Sequence, residues 1–287
     1  MATPSLPPAP TVTNESTQAA LNTALGGFNF ASATQDTSTP PPAQGVSIFK
    51  DADGNSLIVA DAAEAATPNA AGKQIFNLAE LQASLPPGAP VVLQGTGVDK
   101  VKGGDAGDNV INQSNDDTVF KTAGGDDAIV STGFGSATYK TGEGNDKVTG
   151  GSGDELIKGG VGNDTLSGSE GSDTIVGGEG DDEIDGGAGS NDLTGGDGVD
   201  TFTFGTDANG LNTVEDFTKD DILKIADRNG DGAVTEGKDT GDFYQEAKGG
   251  DLIIHLLDKN GGEDARVILK DQTDTLKEGD TDGTFTL

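Results

Sequence analysis

The stretch from residue 141 to residue 203 decides the fold, because it divides without a gap into seven blocks of nine residues. In order, the blocks read TGEGNDKVT, GGSGDELIK, GGVGNDTLS, GSEGSDTIV, GGEGDDEID, GGAGSNDLT and GGDGVDTFT. The blocks that begin at Gly159, Gly177 and Gly195 keep the pattern Gly-Gly-x-Gly-x-Asp-x-U-x at every fixed place, where U is aliphatic or aromatic. An unbroken repeat of this kind predicts a solenoid, in which each repeat packs only on its neighbours.

The apolar and glycine places of the block predict its local structure. The eighth residue is predicted to lie on a short strand and to point inward: Val148, Ile157, Leu166, Ile175, Ile184, Leu193, Phe202. Glycine allows a positive φ and lets one turn pack closely on the next. The glycines assigned to these turns, which would also offer their carbonyl oxygens to a metal, are Gly142, Gly144, Gly151, Gly153, Gly160, Gly162, Gly171, Gly178, Gly180, Gly187, Gly189, Gly196 and Gly198.

The sixth place of the block supplies a carboxylate or amide oxygen, and this points to calcium. Calcium takes about six to eight oxygen ligands, which side chains and turn carbonyls can provide together. Softer metals fit poorly, because the chain has no cysteine and a single histidine. The sixth-place candidates are Asp146, Glu155, Asp164, Asp173, Asp182, Asn191 and Asp200.

Weaker metal candidates flank the regular blocks. Upstream the frame decays into GGDAGDNVI (103–111), NQSNDDTVF (112–120) and TAGGDDAIV (122–130), with Lys121 inserted and 131–140 irregular. The candidate ligands outside the regular blocks are Asp108, Asp117, Asp127, Asp216 and Asp221.

Composition narrows the choice of partners. The chain carries 49 acidic and 17 basic residues, for a net charge of −32, which repels nucleic acids and anionic membranes. The amino terminus lacks the basic start and apolar stretch of a conventional signal peptide, and no run approaches the roughly 18 apolar residues of a membrane span. Cations are therefore the expected partners, without nucleic-acid binding or membrane insertion.

The chain is predicted to have four parts. Residues 1–45 are rich in Pro, Ala and Thr and are predicted to be a flexible leader with a short helix over Glu15–Leu25. Residues 46–100 form a small lead-in, residues 101–203 the roll (degenerate over 101–140, regular over 141–203), and residues 204–287 an antiparallel β cap.

Individual elements can be placed in the lead-in and the cap. The lead-in elements are a hairpin of Val46–Lys50 with Ser56–Ala60, a helix over Asn77–Leu85 and a strand over Val91–Gln94. The cap strands are Thr213–Phe217, Ile222–Ile225, Asp251–Leu257 and Ala265–Lys270.

The nine-residue blocks resemble the repeats of the RTX (repeats-in-toxin) family, strongly over 141–203 and weakly over 103–130. The resemblance implies an all-β, right-handed parallel β-roll in which two successive blocks make one coil. It also implies that several calcium ions bind between turns stacked on one side, so that residues 18 apart share a metal. The family commonly leaves Gram-negative cells through an ABC-type channel, guided by a C-terminal signal. We therefore expect an extracellular or cell-surface protein whose export fails when its last ~60 residues are removed.

That geometry sorts the sixth-place residues into two rows. One row reads Asp146, Asp164, Asp182, Asp200 and the other reads Glu155, Asp173, Asn191. The first row is uniform and contains all three blocks that keep the full pattern. The second has a longer acid at one end and a neutral amide at the other. We expect the first row to bind calcium more tightly.

Two further sites leave alternatives open. Residues 227–238 begin like an EF-hand loop, with Asp227, Asn229 and Asp231 as possible ligands, but Lys238 stands where a bidentate Glu is usual. A plain Asn-Gly/Asp-Gly turn is the alternative. His255 is the single histidine and lies within a predicted strand, where a structural role is more common than catalysis. No HExxH, G-x-S-x-G or phosphate-loop motif is present, and no enzyme activity is expected.

Two roles compete for such a protein. The first is a calcium-ordered structural or adhesive component, such as a surface layer, fibre or matrix protein, that self-assembles or binds cell-surface polysaccharide. The second is a secretion and folding module joined to an extracellular hydrolase or epimerase. The expected partners are calcium and an ABC-type secretion apparatus. Electron microscopy of calcium-treated protein separates the roles, because ordered assemblies favour the first.

Overall fold

A computed structural model describes part of the chain, and that part forms two compact units, residues 1–153 (unit 1) and 154–287 (unit 2). The described residues are 28–29, 31–35, 46–50, 52–53, 56–61, 67–68, 74–82, 90–94, 98, 100–228, 234, 236, 242–258, 263–278 and 283–287. Strands dominate both units, and the described residues contain one short helix, α1 (Leu78–Gln82). None of their helices has the length and apolar character needed to cross a membrane.

Unit 1 is a parallel β-roll that begins before the recognisable repeats. Its strands are β1 (Thr34–Gln35), β2 (Val46–Lys50), β3 (Ser56–Asp61), β4 (Thr67–Pro68), β5 (Gln74–Asn77), β6 (Val91–Gln94), β7 (Lys100–Lys102), β8 (Asn109–Asn112), β9 (Val119–Gly124), β10 (Ala128–Ser131), β11 (Thr138–Glu143) and β12 (Lys147–Thr149). They form two ladders, β1-β2-β3-β6-β8-β10-β12 and β4-β5-β7-β9-β11. The pairs β1–β2, β2–β3 and β4–β5 are antiparallel, and the others are parallel.

The lead-in elements form as predicted, but the roll includes them. The hairpin of β2 and β3 is present, and α1 and β6 lie where a helix and a strand were expected. However, β3 pairs in parallel with β6, and β5 with β7. The parallel roll therefore starts well before residue 101, because these strands carry an apolar pattern without the glycine–aspartate frame that marks the later coils.

Each fully described coil of unit 1 contains 19 residues rather than 18. Residues 19 apart are paired from Lys100–Val119 through Val119–Thr138 and from Asn109–Ala128 onward. The extra residues are Asn112 and Ser131, which stack on each other and are joined by a hydrogen bond from Asn112 Nδ2 to Ser131 Oγ (3.4 Å).

This spacing corrects the predicted upstream frame. Phe120 and Tyr139 pair, and both are fully buried with their rings stacked 5.0 Å apart, so Phe120 holds the eighth place. The block therefore runs from 113 to 121, and Lys121 is its ninth residue instead of an insertion. The spacing was readable in the sequence, because hydrophobic residues recur 19 apart through residues 110–139.

A second apolar layer covers one outer face of unit 1. Ile111 and Val130 point away from the interior of the roll and pack with Phe28, Phe49 and further residues of a buried cluster, Leu57, Val59 and Val92. Phe28 and β1 belong to the segment predicted as a leader, so the fold of unit 1 includes these residues. The remainder of that segment, including the predicted helix over Glu15–Leu25, lies outside the described residues.

Unit 2 continues the same architecture with coils of 18 residues. Its strands are β13 (Leu156–Val161), β14 (Thr165–Ser167), β15 (Thr174–Glu179), β16 (Glu183–Asp185), β17 (Asp192–Asp197), β18 (Thr201–Phe204), β19 (Gly210–Val214), β20 (Ile222–Ile225), β21 (Phe243–Lys248), β22 (Asp251–Leu257), β23 (Glu263–Leu269), β24 (Lys277–Glu278) and β25 (Thr284–Thr286). They form the ladders β14-β16-β18-β20-β25-β24 and β13-β15-β17-β19-β23-β22-β21. The eighth-place side chains from Ile157 to Phe202 are buried, as predicted.

The cap is mixed rather than wholly antiparallel, and it begins later than predicted. Strand β19 pairs in parallel with β17 and with β23, and β20 pairs in parallel with β18. The antiparallel pairs of this unit are β21–β22, β22–β23, β20–β25 and β24–β25. The roll therefore extends to Ile225. The predicted roll ended at Thr203 because three extra residues between Asp200 and Asn212 end the nine-residue frame there.

Arg228 ties the cap to the last coil. Its side chain donates hydrogen bonds to three backbone carbonyls, those of Gly205, Ala208 (3.0 Å) and Leu257 (3.2 Å). Its backbone N–H donates to Asp242 Oδ1 (2.7 Å), and Asp242 is fully buried. The planar guanidinium suits this role because it offers several donors in a fixed arrangement.

We expect Arg228→Met to lower the free energy of unfolding of the calcium-loaded protein by about 3 kcal/mol or more, because it removes the donors to the buried carbonyls of Ala208 and Leu257. Urea denaturation followed by circular dichroism measures the change. The matched control is Arg266→Met, which removes an exposed arginine paired with Glu263 (3.2 Å) and should cost less than about 1 kcal/mol. Equal losses in the two variants would contradict the role of Arg228.

Candidate metal centre

The sixth-place side chains of unit 2 form two rows, one on each side of the roll. The aspartate row consists of Asp164, Asp182, Asp200 and Asp221, and the mixed row of Glu155, Asp173, Asn191 and Asn212. Within a row, the backbone N–H of one residue donates to Oδ1 of the next. The donor–acceptor distances are 2.8–2.9 Å along the aspartate row and 2.7–3.3 Å along the mixed row. Each such hydrogen bond fixes one oxygen of a side chain and holds the other in a defined direction.

The second oxygen of these carboxylates faces the first glycine of its own block. A Cβ placed on Gly177 would lie only 2.1 Å from Asp182 Oδ2 and 2.6 Å from the carbonyl oxygen of Gly195 in the next coil. The same close approach of Oδ2 occurs at Gly159, Gly168 and Gly195, at 2.0–2.2 Å. We call the space bounded by the first glycine, the sixth-place Oδ2 and the next coil's first carbonyl a cradle. Glycine is required here, because any Cβ would overlap these oxygens.

The oxygens in the cradles fit a hard cation. Among the described residues, Asp182 Oδ2 is buried and has no hydrogen-bond partner. A buried carboxylate oxygen without a partner is costly, and a bound cation removes that cost. No three carboxylate or imidazole side chains of the described residues converge on one point. The ligand set has to include backbone carbonyls such as that of Gly195, which calcium accepts readily.

Burial controls the titration of these groups. It raises the pKa of Asp173 to about 7 and the pKa values of Asp182 and Asp200 to about 6, while hydrogen bonds from backbone N–H groups oppose the rise. Neighbouring carboxylates raise all three pKa values further. A divalent cation among these groups would favour the ionised form that binds it.

At the C-terminal end of each row, the last side chain, Asp221 or Asn212, is hydrogen-bonded to other groups of the protein. In Asp221, Oδ1 accepts from the N–H of Asp200 (2.9 Å) and Oδ2 from that of Thr218 (2.7 Å). In the mixed row, Asn191 Nδ2 donates to Asn212 Oδ1 (2.9 Å). Sequence reasoning missed Asn212 because the three-residue insertion moves it out of frame.

Two of the predicted calcium ligands, Asp216 and Asp117, lie outside the rows of sixth-place side chains. The carboxylate of Asp216 accepts the N–H groups of Gly195 and Gly196, both at 2.9 Å, so its oxygens bind backbone amides. Asp117 is exposed and accepts from the N–H of Ser136 (3.0 Å), while the buried sixth place of its block is held by Thr118. The predicted frame was one residue early there.

The predicted turn glycines make close backbone contacts. Gly178 has a φ of +135°, and a Cβ on it would lie 2.0 Å from the carbonyl oxygen of Gly160. The predicted glycines with positive φ are Gly142, Gly144, Gly160, Gly162, Gly171, Gly178, Gly180, Gly187, Gly189, Gly196 and Gly198. Gly151 and Gly153 lie beside the carbonyls of Gly133 and Gly135, where a Cβ would lie 2.3 and 2.6 Å away.

In unit 1, Asp108, Asp127 and Asp146 form a comparable row. The N–H of Asp108 donates to Asp127 Oδ1 (2.7 Å), and that of Asp127 donates to Asp146 Oδ1 (2.8 Å). All three residues are buried. These predicted ligands are therefore brought together, although the residues that surround them differ from those of unit 2.

The remaining candidates are the loop of residues 227–238 and His255, and the structure describes only the second in full. Asp227 is described, but Asn229 and Asp231 lie outside the described residues, so calcium binding by this loop stays a prediction. His255 Nδ1 lies 2.6 Å from Glu263 Oε2, and its ring stacks on Tyr244 with centroids 4.3 Å apart. These contacts hold the ring in place on the cap sheet.

The difference between the two rows stays a prediction, and paired substitutions test it. We expect Asp164→Ala with Asp182→Ala to weaken calcium binding by about 10-fold or more, because two cradle oxygens are lost. Glu155→Ala with Asn191→Ala should weaken it less, since the Asn191 amide is already hydrogen-bonded within its row. Isothermal titration calorimetry measures both pairs. Equal losses of affinity would show that the rows are equivalent.

A family model and a solved structure are similar to parts of this chain. The family model of the RTX calcium-binding nonapeptide repeat, which spans four copies, matches residues 131–166 and again residues 167–202. The search of curated proteins found no match. Among solved structures, the extracellular lipase LipA from Serratia marcescens is similar at 16% identity with a TM-score of 0.29, over 70% of this chain and 41% of the lipase. This chain thus spans less than half the length of that enzyme. The segment from residue 131 to residue 202 is an array of RTX calcium-binding nonapeptide repeats.

Proposed function

We propose that calcium folds the roll of unit 2 by binding in the cradles. The observation that carries the proposal is the buried Asp182 Oδ2, which has no hydrogen-bond partner among the described residues and packs against Gly177 beside the carbonyl oxygen of Gly195. When bound, calcium supplies a positive charge that compensates this buried carboxylate oxygen. The chain supplies the rest, because the backbone N–H groups hold each carboxylate in place and the glycines keep the space open.

The repeat has too small a core to fold unaided at neutral pH. Each nine-residue block of unit 2 buries one apolar side chain at its eighth place, such as Ile157 or Leu166. One buried aliphatic side chain offsets only part of the conformational entropy that is lost when nine residues are ordered. Rows of like-charged carboxylates increase the deficit, so the metal is the natural source of the missing stability.

Far-UV circular dichroism of the full chain tests this proposal. In EDTA at pH 7.5, we expect the spectrum to lack most of the β signal, and a calcium titration to a few millimolar should restore it cooperatively. Magnesium should not replace calcium, because it prefers a rigid octahedral set with bound waters. A spectrum that is already fully β in EDTA and unchanged by calcium would refute calcium-driven folding.

We also propose that the protein works outside the cell. RTX repeats are typical of secreted proteins of Gram-negative bacteria, and the matched repeats support this assignment. A calcium-dependent roll would stay unfolded at the low calcium of the cytosol and fold at the roughly millimolar concentrations outside. Fractionation of the producing cells tests the proposal, since the protein should be found in the medium or on the surface. Retention in the cytosol would contradict it.

For the biological role, we favour a structural or adhesive component without catalytic activity. The sequence motifs of hydrolases are missing, and His255 is held between Tyr244 and Glu263 in the cap. Electron microscopy of calcium-treated protein provides the test. Ordered layers or fibres that disperse in EDTA would support this role. Persistent single particles would favour a soluble module instead.

A further inference from the structure

Unit 1 departs from unit 2 at the first place of two of its aspartate-bearing blocks, those of Asp127 and Asp146. The pairing of Lys102 with Lys121 and of Lys121 with Lys140 puts Thr122 and Thr141 one residue further along, at the place that glycine holds in unit 2. Both threonines are fully buried. Each begins the block whose sixth residue is Asp127 or Asp146.

A threonine at this place fills the cradle. In unit 2, a Cβ at Gly177 would lie 2.1 Å from the carboxylate oxygen and 2.6 Å from the next coil's carbonyl. In unit 1, the Thr122 hydroxyl donates a hydrogen bond to the carbonyl oxygen of Thr141 (3.3 Å), the counterpart of that next-coil carbonyl. The Thr122 side chain also hydrogen-bonds to the Asp127 carboxyl, so this carboxyl faces a side chain where the carboxylates of unit 2 face a glycine. The Thr122 side chain therefore occupies the first place of the cradle, and its hydroxyl is hydrogen-bonded to the Thr141 carbonyl oxygen that would otherwise be a calcium ligand.

On the other side of unit 1, the described residues at the sixth place carry no carboxylate. Thr118 and Ala137 stand there, and both are buried. One open cradle persists in unit 1, at Gly103, where a Cβ would lie 1.9 Å from Asp108 Oδ2. In that block, Ala106 stands at the fourth place, where the regular pattern has glycine. Unit 1 thus keeps the shape of the roll with few of its calcium ligands.

Unit 1 has an additional source of stability that the roll of unit 2 lacks. Its outer face is covered by the buried cluster that includes Phe28, Phe49 and Val130. In the ladder β14-β16-β18 of unit 2, the stacked residues after the eighth place are polar, namely Ser167, Asp185 and Thr203. A second layer of buried aromatic and aliphatic side chains provides several kcal/mol that does not depend on a metal.

We propose that Thr122 and Thr141 exclude calcium from their coils, and that unit 1 keeps its fold without the metal while the roll of unit 2 requires it. This inference rests on the proposed function of unit 2. The family match that begins at residue 131 is compatible with it, because the repeat pattern describes the shape of the coil and the first-place residue decides whether the cradle is open.

Hydrogen–deuterium exchange of the full chain, resolved by peptide, tests the inference. In EDTA at pH 7.5, we expect amides of residues 119–149 to be protected and those of residues 156–204 to exchange rapidly, and calcium to protect only the second group. If residues 119–149 also exchange rapidly in EDTA and calcium protects them, the inference is wrong. If residues 156–204 are protected in EDTA, the proposed function of unit 2 fails instead, so the two failures are distinguishable.

Substitutions at the first place test the mechanism directly. Thr122→Gly with Thr141→Gly should increase the number of calcium ions bound per chain, measured by equilibrium dialysis, because it opens two cradles beside existing carboxylates. Thr122→Ser with Thr141→Ser keeps a Cβ and a hydroxyl and should leave the number unchanged. Gly159→Thr should lower it. A glycine pair that binds no more calcium than the unsubstituted chain would overturn the assignment.

Discussion

Gly177→Ala is expected to raise the calcium concentration at the folding midpoint by about 10-fold or more. The new methyl group would lie 2.1 Å from Asp182 Oδ2 and 2.6 Å from the carbonyl oxygen of Gly195, both far inside van der Waals contact. Gly177 is not among the glycines with a positive φ, so the substitution changes the cradle without straining its own backbone. The calcium titration followed by circular dichroism measures the shift in midpoint.

Gly249→Ala is the matched control for that experiment. Gly249 lies in the turn between β21 and β22 with a φ of +73°, and a Cβ there would meet nothing within 4 Å. An alanine at a positive φ costs about 1–2 kcal/mol of conformational strain, so this variant is the more strained of the two locally. Its calcium midpoint should nevertheless move less than that of Gly177→Ala. The reverse order would mean that the first-place glycine does not form part of the binding site.

The sequence predicts the regular part of the roll because each of its places has one physical task. Inward aliphatic residues such as Ile175, turn glycines such as Gly178 and carboxylates such as Asp182 recur in one frame, and the structure confirms their burial and stacking. The division of the aspartates into stacked rows 18 apart followed from the family resemblance. It holds within unit 2 up to Asp200.

Prediction failed where the coil length changes. The 19-residue coils of unit 1 displace the frame by one residue, so Asp117 was taken as a ligand although Thr118 holds the buried place. The three residues inserted before Asn212 concealed the last coil in the same way. Contacts between distant segments were not predictable from a repeat, and Arg228 is the main example. It lies within an acidic loop that resembles a metal site, yet its side chain binds carbonyls of the roll and the cap.

Acidification is expected to fold the metal-free chain. Burial raises the pKa of Asp173 to about 7 and those of Asp182 and Asp200 to about 6, from 3.8 in the unfolded chain. A carboxyl whose pKa is higher in the folded state stabilises the fold fully below the unfolded pKa, and this stability is lost as the pH rises through the folded pKa. The stability is regained progressively as the pH falls from the folded pKa toward 3.8, and the contributions of coupled groups do not add simply.

The measurement is far-UV circular dichroism in EDTA between pH 7.5 and pH 5. We expect the β signal to grow as the pH falls through 7 to 6, whereas calcium affinity should fall over the same range because binding requires the ionised carboxylates. Asp173→Asn with Asp182→Asn should reduce the pH dependence in EDTA, since an amide does not titrate.

A control for net charge is needed, because acid also reduces the repulsion among 49 acidic residues. Asp192→Asn with Asp197→Asn removes the same charge from two exposed residues. Neither residue is among the neighbouring charges that raise the pKa values of Asp173, Asp182 and Asp200. This pair should keep the pH dependence of the unsubstituted chain. If it reduces that dependence as much as the buried pair does, overall charge rather than the buried carboxyls controls folding.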